Sequence, residues 1–446
     1  MRFAGEPIVG SSASCIICVA APRSGARATP METSHLIVVA VFVVVYLGMI
    51  LGGLPRLHLD RTGVALLGAI AIVGTGVLTP QQAAEAIHLP TILLLFSFMV
   101  ISAQMRLGGF YTKVTRGIVT LAAGPAALLA IVIAVAGVLS AVFSNDIVCL
   151  AMAPVLADAC LRRRLDPVPY LLALACASNI GSAATLIGNP QNMLIGQTLG
   201  MDFADYLVEA IVPVALGMAA LWGWLALALR RGAAGASVPK PAPAHTLRAE
   251  YPAFDRWQTA KGLTVALCLV AIFVVTDWPH DVAALVGAGI LLLSQRFHSS
   301  KVMGLIDWEL LILFIGLFIV NHALARTGLT GEAVRWLAAQ GLSLGDAVPL
   351  FASTLVLSNL VSNVPAVMLL LPVAGASPAG GPTLALVSTL AGNLLIVGSI
   401  ANIIVVDAAR RHGIEIDWRR HARTGVPVTV LTLAITAGWL ALRHAG

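Results

Sequence analysis

The chain has 446 residues, of which 59% are hydrophobic and 11% are charged. A soluble domain carries about a quarter of charged residues, so this composition excludes a soluble globular protein and indicates an integral membrane protein. The net charge of +6 is concentrated in short loops between apolar stretches. This distribution is typical of cytoplasmic loops and makes nucleic acid a poor candidate for a partner.

The first 34 residues differ in composition from the rest of the chain. They mix Gly, Ser, Ala, Pro and Arg, and a second methionine, Met31, directly precedes the first clean apolar stretch. The apolar part of this segment is too short to cross a bilayer. We therefore interpret residues 1–34 as a disordered extension, or as sequence that lies partly upstream of a translation start at Met31.

The apolar stretches that follow predict an all-α polytopic membrane protein with about 10 to 11 spans, because a helix needs about 20 apolar residues to cross a bilayer. Two stretches, 119–160 and 346–374, are too long for one helix and contain Ser-Asn near the middle, so we predict that each forms a hairpin. The remaining spans are predicted at 35–54, 62–78, 89–105, 168–198, 207–229, 262–277, 281–297, 308–325, 382–406 and 424–442.

The charged loops predict the orientation of these spans. Arginine and lysine cluster at 161–166, 230–261 and 410–423, whereas the loop at 199–206 contains neither. Because basic loops stay in the cytoplasm, we place the first three loops inside and the fourth outside, in the inner (plasma) membrane of the cell. Charge does not separate a re-entrant hairpin from two full spans, since both return the chain to its starting side.

The polar interruption in the first hairpin recurs in the second. "FSNDIVCLAMAP" at 143–154 and "VSNVPAVMLLLP" at 361–372 both contain Ser-Asn, an apolar run, and a proline ten residues after the serine. A second pair follows, in which "TLIGNPQNMLI" at 185–195 resembles "LIVGSIANIIV" at 395–405. Asn179 has a looser counterpart in Asn393.

The two copies begin on opposite sides of the membrane, which predicts an inverted-topology repeat. We assign 35–229 to the first copy and 262–446 to the second, joined by a cytoplasmic linker at 230–261. Transporters built in this way place the substrate near the midplane, at broken helices from both halves. Unpaired backbone groups are costly in hydrocarbon, so breaks at 168–198 and 382–406 are expected only beside a cavity or protein.

The segment "SNIGSAATLIGNPQNMLIG" at 178–196 resembles a signature of the ion transporter superfamily. This group includes citrate-transporter-like permeases, divalent anion/sodium symporters, arsenite permeases and a class of sodium/proton antiporters. The resemblance covers most of the chain from about residue 35. It implies a scaffold domain and a transport domain in each protomer, a homodimer, two re-entrant hairpins and two unwound transmembrane helices.

The resemblance also implies a site at the hairpin tips and unwound segments. In symporters of this group the Ser-Asn tips bind sodium and substrate carboxylates, and a threonine usually follows. Asp146 and Val364 stand at that position here, which weakens the implied recognition of a dicarboxylate. The implied sodium ligands are Ser144, Asn145, Gly188, Ser362, Asn363 and Gly398. The complete predicted site comprises Ser144, Asn145, Asp146, Asn179, Thr185, Gly188, Asn189, Asn192, Ser362, Asn363, Asn393, Gly398, Ser399 and Asn402.

These features predict a secondary-active transporter of a small anion, either an inorganic oxyanion or a di- or tricarboxylate, coupled to sodium or protons. The alternatives are an arsenite or antimonite efflux permease and a sodium/proton antiporter. Asp146 is an ionisable residue inside the membrane and could ligate a cation or carry a proton, or simply pair with a helix N-terminus. No catalytic motif is recognised, so we expect no enzymatic activity and no cofactor beyond the coupling ion.

Overall fold

The computed structural model describes residues 30–54, 57–232, 252–294 and 296–444. Within them the fold is α-helical, apart from one pair of two-residue antiparallel strands, β1 (Gly53–Leu54) and β2 (Leu59–Asp60). The helices of the first half are α1 (Pro30–Leu51), α2 (Arg61–Gly74), α3 (Pro80–Ala86), α4 (Leu89–Leu107), α5 (Phe110–Thr120), α6 (Pro125–Val142), α7 (Asn145–Arg162), α8 (Pro167–Ser182), α9 (Pro190–Leu199) and α10 (Phe203–Gly232).

The second half of the described chain repeats this succession of helices. A 3₁₀ helix at Ile396–Gly398 is its one addition to the pattern. Its helices are α11 (Arg256–Val275), α12 (His280–Leu292), α13 (Ser299–Met303), α14 (Trp308–Arg326), α15 (Leu329–Ala339), α16 (Ala347–Val361), α17 (Asn363–Ala374), α18 (Gly380–Ala391), α19 (Ile400–Arg411) and α20 (Trp418–Arg443).

The two halves correspond helix by helix, in packing as well as in order. Helix α8 packs against α6 and α10, and α18 packs in the same way against α16 and α20. The α4–α5 and α14–α15 joints each contain a glycine with positive φ, 70° at Gly109 and 78° at Gly328, a conformation that glycine adopts without strain. This correspondence agrees with the predicted repeat.

The halves also interlock through the second helix of each, α2 and α12. Helix α2 of the first half packs against α14 of the second, and α12 of the second packs against α4 of the first. The short helices follow the same exchange, since α3 contacts α14 and α13 contacts α4. The two halves therefore share one packed core instead of standing as separate domains.

The described residues contain seven helices that are long and apolar enough to cross a membrane: α1, α4, α6, α10, α11, α14 and α20. The predicted spans 62–78 and 281–297 correspond to the shorter apolar helices α2 and α12. Large apolar side chains such as Leu67, Val275 and Val286 are exposed on the outer helices, as lipid contact requires. The protein is thus a multi-pass membrane protein.

The two predicted hairpins are present as helix pairs. Helix α7 starts directly after Phe143 and Ser144, and a single residue, Ser362, separates α16 from α17. The partners of each pair contact each other. The re-entrant path of these hairpins through the bilayer stays a prediction.

The two helices predicted to be broken are interrupted. Helix α8 ends at Ser182 and α9 begins at Pro190, a residue whose fixed φ favours the first position of a helix. Helix α18 ends at Ala391 and α19 begins at Ile400, where Ser399 caps the new helix by accepting a hydrogen bond from the Ala401 amide at 3.2 Å. Every residue of α8 except Pro169 is buried, so the first break lies in the centre of the protein.

Two predicted segments fall mainly outside the described residues. The described chain begins with α1 at Pro30, within the predicted extension 1–34. Of the predicted linker 230–261, residues 233–251 lie outside the described residues, and α11 begins within it at Arg256.

Candidate functional site

The two hairpin tips and the two helix breaks line one small pocket. Its volume is about 30 Å³, which is the space of a single water molecule. Four helices begin at this central pocket, α7, α9, α17 and α19, and α14 supplies an apolar wall. The lining residues are Asn145, Asp146, Pro190, Gln191, Leu310, Ser362, Asn363, Val364, Ser399 and Ile400.

Asn145 joins the first tip to the first break. Its backbone amide donates to Gly188 O at 3.2 Å, and its side-chain Nδ2 donates to Asn179 Oδ1 at 3.0 Å. Asn145 is only 4% exposed, yet its Oδ1 has no hydrogen-bond partner among the described residues. The tip therefore presents an unused carbonyl-type oxygen in a buried position.

The second tip repeats this feature. Asn363 is 8% exposed, and its Oδ1 also has no partner in the described part of the chain. The hydroxyls of Ser140 and Ser358, four residues before the tip serines, are likewise buried without a partner. These two serines are not in the predicted site, although the spacing that pairs the tips, 218 residues, pairs them as well.

Asn179 connects the two halves of the protein. Its Nδ2 donates to Asn393 Oδ1 at 2.9 Å and to Asn402 Oδ1 at 3.3 Å, and its Oδ1 accepts from the Ser399 hydroxyl at 2.9 Å. Together with Asn145, these residues form a buried network that runs from the first tip to the second break.

Thr389 makes the reverse connection, from the second half to the first break. Its hydroxyl donates to Asn192 Oδ1 at 3.2 Å and accepts from Asn189 Nδ2 at 3.2 Å and from Gln191 Nε2 at 3.3 Å. Thr389 lies 210 residues after Asn179, the same offset that relates the two breaks. Neither Thr389 nor Gln191 is in the predicted site, although this offset could have identified Thr389.

Asn192 and Asn402 close the two breaks in the same way. Asn192 Nδ2 donates to Thr185 O at 3.1 Å, and Asn402 Nδ2 donates to Leu395 O at 3.0 Å. Each asparagine thus satisfies a carbonyl seven residues earlier that the break has released from its helix. Asn402 also donates to Gly392 O at 2.8 Å.

The two glycines of the breaks differ in the room around them. A Cβ on Gly188 would collide with Ser182 O and would lie 2.8 Å from Ser140 O. A Cβ on Gly398 would lie 3.1 Å from Gly392 O and 3.2 Å from Asn359 Oδ1, which is tight but not an overlap. The first break is therefore the more closely packed of the two.

Two residues of the tips have unusual surroundings or backbone geometry. Ser362 has φ 78° and ψ 162°, a region that is occupied almost only by glycine. Ser144, its counterpart, has an ordinary φ of −55°. Asp146 is half-buried in the first turn of α7 and forms no salt bridge with any described residue.

The structure thus divides the predicted site residues into two groups. The residues that line the central pocket are Asn145, Asp146, Ser362, Asn363 and Ser399. The residues that lie outside its lining are Ser144, Asn179, Thr185, Gly188, Asn189, Asn192, Asn393, Gly398 and Asn402.

Two larger cavities lie further along the helices that begin at the central pocket. The first, which we call the arginine vestibule, has a volume of about 480 Å³ and is lined by Arg106, Tyr111, Pro154, Asp407 and Arg411, among others. The second, the histidine vestibule, has a volume of about 600 Å³ and is lined by residues that include His88, His322, Thr330, Leu194 and Pro372.

The vestibules are equivalent under the repeat. Helices α4, α5, α7 and α19 line the first, and their counterparts α14, α15, α17 and α9 line the second. Pro154 and Pro372, the matching prolines of the two hairpins, each contribute to one vestibule. The central pocket therefore lies at the start of helices that run on to line two equivalent cavities.

Fold and pocket together define a polytopic membrane transporter. Residues 37–391 match the citrate transporter family, and the chain belongs to this family. This match confirms the resemblance to the ion transporter superfamily.

Relatives cover almost the whole chain. The 46 kDa membrane protein of Mycobacterium leprae (strain TN) is 30% identical over 431 residues, which cover 92% of this chain and 99% of that protein. A silicon efflux transporter of Oryza sativa subsp. japonica is 27% identical over 460 residues, covering 88% and 95%. The crystal structure of the Alcanivorax borkumensis YdaH transporter is similar in fold, with a TM-score of 0.54, 15% identity, and coverage of 92% and 98%.

Proposed function

We propose that the protein is a secondary-active transporter of a small anion, an inorganic oxyanion or a di- or tricarboxylate, coupled to sodium or protons. The observation that carries this proposal is the convergence of four helix N-termini on the central pocket between the two halves. A helix N-terminus presents unpaired N–H groups and a partial positive charge. Four of them favour an anion in a pocket whose lining contains no lysine or arginine.

The coupling cation has oxygen ligands available at both tips. The unpartnered amide oxygens of Asn145 and Asn363, and the unpartnered hydroxyls of Ser140 and Ser358, are hard oxygen donors of the kind that sodium prefers. One such set lies beside each break. This arrangement supports one sodium position in each half.

Asp146 supplies a physical reason for coupling. An anion in the central pocket would be repelled by an ionised carboxylate on the same wall. A proton on Asp146, or a sodium ion beside it, removes this repulsion. The anion and the cation therefore bind best together, which is the condition for symport.

The two vestibules supply the transport path. We assign the arginine vestibule to the cytoplasmic side, because α7 and α19 end at the basic segments 161–166 and 410–423. The histidine vestibule faces outward. In the conformation described, the central pocket is too small for an anion larger than one water, so transport requires the elements around it to move apart.

A second candidate is efflux of a neutral hydroxide such as arsenious, antimonous or silicic acid. Asp146 favours it, because a neutral substrate needs no counter-charge to bind beside a carboxylate. The rice relative, a silicon efflux transporter, points in the same direction. Sodium/proton antiport is the third candidate, in which Asp146 alone exchanges the two cations.

Uptake into proteoliposomes separates these candidates. Purified protein is reconstituted, and uptake is measured under an imposed sodium gradient, an imposed proton gradient or neither. The compounds tested are radiolabelled phosphate, arsenate, succinate and citrate, together with arsenious and silicic acid. Gradient-dependent uptake of one anion supports the main proposal, and proton-driven movement of a neutral hydroxide supports the second. Dye-reported sodium/proton exchange without any substrate supports the third.

We further propose that the protein acts as a homodimer in the inner membrane, as the family resemblance implies. The exposed apolar side chains on α1, α2, α11 and α12 provide surface for lipid or for a second copy. Chemical cross-linking in membranes, followed by mass determination, tests the dimer.

A further inference from the structure

The two vestibules are built from equivalent helices but differ in charge. Arg106 lies in the last turn of α4 and lines the first vestibule. Its counterpart 219 residues later is Ala325, which lines the second. Among the described residues, the lining of the second vestibule contains no lysine or arginine. The fold therefore does not demand an arginine at this position.

Arg106 and a neighbouring tyrosine offer unused hydrogen-bond donors. Among the described residues, Arg106 takes part in no salt bridge. Tyr111 lines the same vestibule and is 1% exposed, and its enclosed hydroxyl lies next to the Ser102 hydroxyl; neither hydroxyl makes a hydrogen bond of ordinary geometry within the described chain. By contrast, Arg411, on the opposite wall, is paired with Asp407 at 2.6 Å.

Size adds an independent argument. The central pocket has room for about one water molecule, whereas the arginine vestibule, at about 480 Å³, is in the range of cavities that bind small organic molecules. In the conformation described, a carboxylate or oxyanion fits the vestibule and does not fit the central pocket.

We propose that the arginine vestibule contains a second anion-binding site, in which Arg106 provides the main charge and the Tyr111 hydroxyl, turned from Ser102 toward the ligand, a hydrogen bond. Its ligand is a carboxylate or oxyanion of the class transported, so this inference rests on the proposed function for the identity of the ligand. The site holds the anion on the cytoplasmic side before it reaches, or after it leaves, the central pocket. Guanidinium groups suit this role because their planar donors match carboxylate and phosphate geometry.

The test counts anion sites in the purified full-length protein. Radiolabelled phosphate and radiolabelled citrate are titrated at constant ionic strength, and binding is measured by scintillation proximity. We expect two classes of site in the unmodified protein. The double variant Asn145→Ala/Asn363→Ala should retain only the class that belongs to the vestibule.

Adding Arg106→Gln to the double variant should weaken the remaining class at least tenfold, and adding Tyr111→Phe should weaken it severalfold without removing volume. Arg410→Gln is the matched control, because Arg410 is exposed on α19 and does not line the vestibule, and it should change nothing. If Arg106→Gln does not fold, Tyr111→Phe and Arg106→Lys, which keeps the charge, still decide the question.

Two results would overturn the inference: a remaining class of site that is indifferent to both Arg106→Gln and Tyr111→Phe, or the absence of any phosphate or citrate binding in the double variant. Failure of the proposed function has a different signature. In that case the proteoliposomes show no gradient-driven uptake, while the Arg106-dependent binding persists.

Discussion

Asn179 Nδ2 donates a hydrogen bond to Asn393 Oδ1 at 2.9 Å, and this bond joins the last turn of α8, just before the break in the first half of the chain, to the break in the second. Both side chains are buried, at 2% and 0% exposure. A buried amide that loses its partner is costly, so a rearrangement of one break must be accompanied by a change at the other. The asparagine network is thus a direct mechanical link between the halves.

Replacement of Asn179 should destabilise the folded protein. Asn179→Ala leaves Asn145 Nδ2 without a partner and removes the acceptor of the Ser399 hydroxyl. Each buried group left unpaired costs about 1–3 kcal/mol. A clear fall in Tm is therefore expected in thermal unfolding of the purified protein. Gln81→Ala, an exposed amide that bonds only to Glu85 in the described chain, is the control and should leave Tm nearly unchanged. Equal Tm values for both variants would contradict the role of the network.

The strained backbone at Ser362 should be relieved by glycine. The backbone conformation at Ser362 costs about 1–3 kcal/mol for a residue with a side chain. Glycine adopts the same conformation without this cost, so the Tm of Ser362→Gly should rise. Ser144→Gly is the matched control in the other tip, because φ is −55° there and no strain is released. We expect Ser362→Gly to lower the apparent affinity for sodium in uptake assays despite its higher Tm. A lower Tm for Ser362→Gly than for Ser144→Gly would argue that Ser362 is not strained.

The two break glycines should differ in their tolerance of alanine. Gly188→Ala places a methyl group against Ser182 O and should abolish folding or transport, whereas Gly398→Ala requires only small shifts and should retain part of the activity. Gly74→Ala, with no atom within 4 Å of the added Cβ, should behave like the unmodified protein. Size-exclusion chromatography and uptake assays provide the readouts. The prediction fails if Gly188→Ala is the better tolerated of the two.

Neutralising Asp146 should separate proton coupling from sodium coupling. An asparagine keeps an oxygen that can ligate sodium but cannot exchange a proton. Asp146→Asn should therefore abolish proton-coupled exchange and only weaken sodium-coupled uptake, as measured with a pH-sensitive dye inside proteoliposomes. Asp158→Asn, on the same helix but paired with Arg162 at the exposed end, should leave both unchanged. Proton coupling that survives in Asp146→Asn would assign the proton to another group.

The sequence was most informative where both halves keep the same residues. The Ser-Asn tips and the proline ten residues after each serine occur in both halves, and Pro190 marks the start of α9. Thr389 was missed because the residue equivalent to Asn179 is of a different type, and no proline announces the start of α19 at Ile400. The exchange of α2 and α12 between the halves is a matter of tertiary packing and leaves no local pattern.

The proposed role of Arg106 could not be predicted for a similar reason. In the sequence it is one basic residue at the end of an apolar span, and the helix dipole is a sufficient explanation for it. Only the packing of α4 and α5 beside α7 and α19 places it in a cavity, and only the equivalence with Ala325 distinguishes the two vestibules.

The central claim is that both tips serve one transport site. It is tested most directly by measuring uptake of the identified substrate into proteoliposomes. These contain the variant Asn145→Ala, the variant Asn363→Ala or the control Gln340→Ala. Gln340 is an exposed amide at the end of α15 and does not line the central pocket. We predict that each tip variant loses at least 90% of substrate uptake, roughly the effect of removing one charge-assisted interaction of about 1.5–3 kcal/mol, while the control keeps full activity. Normal uptake by either tip variant would contradict a single site shared by the two halves.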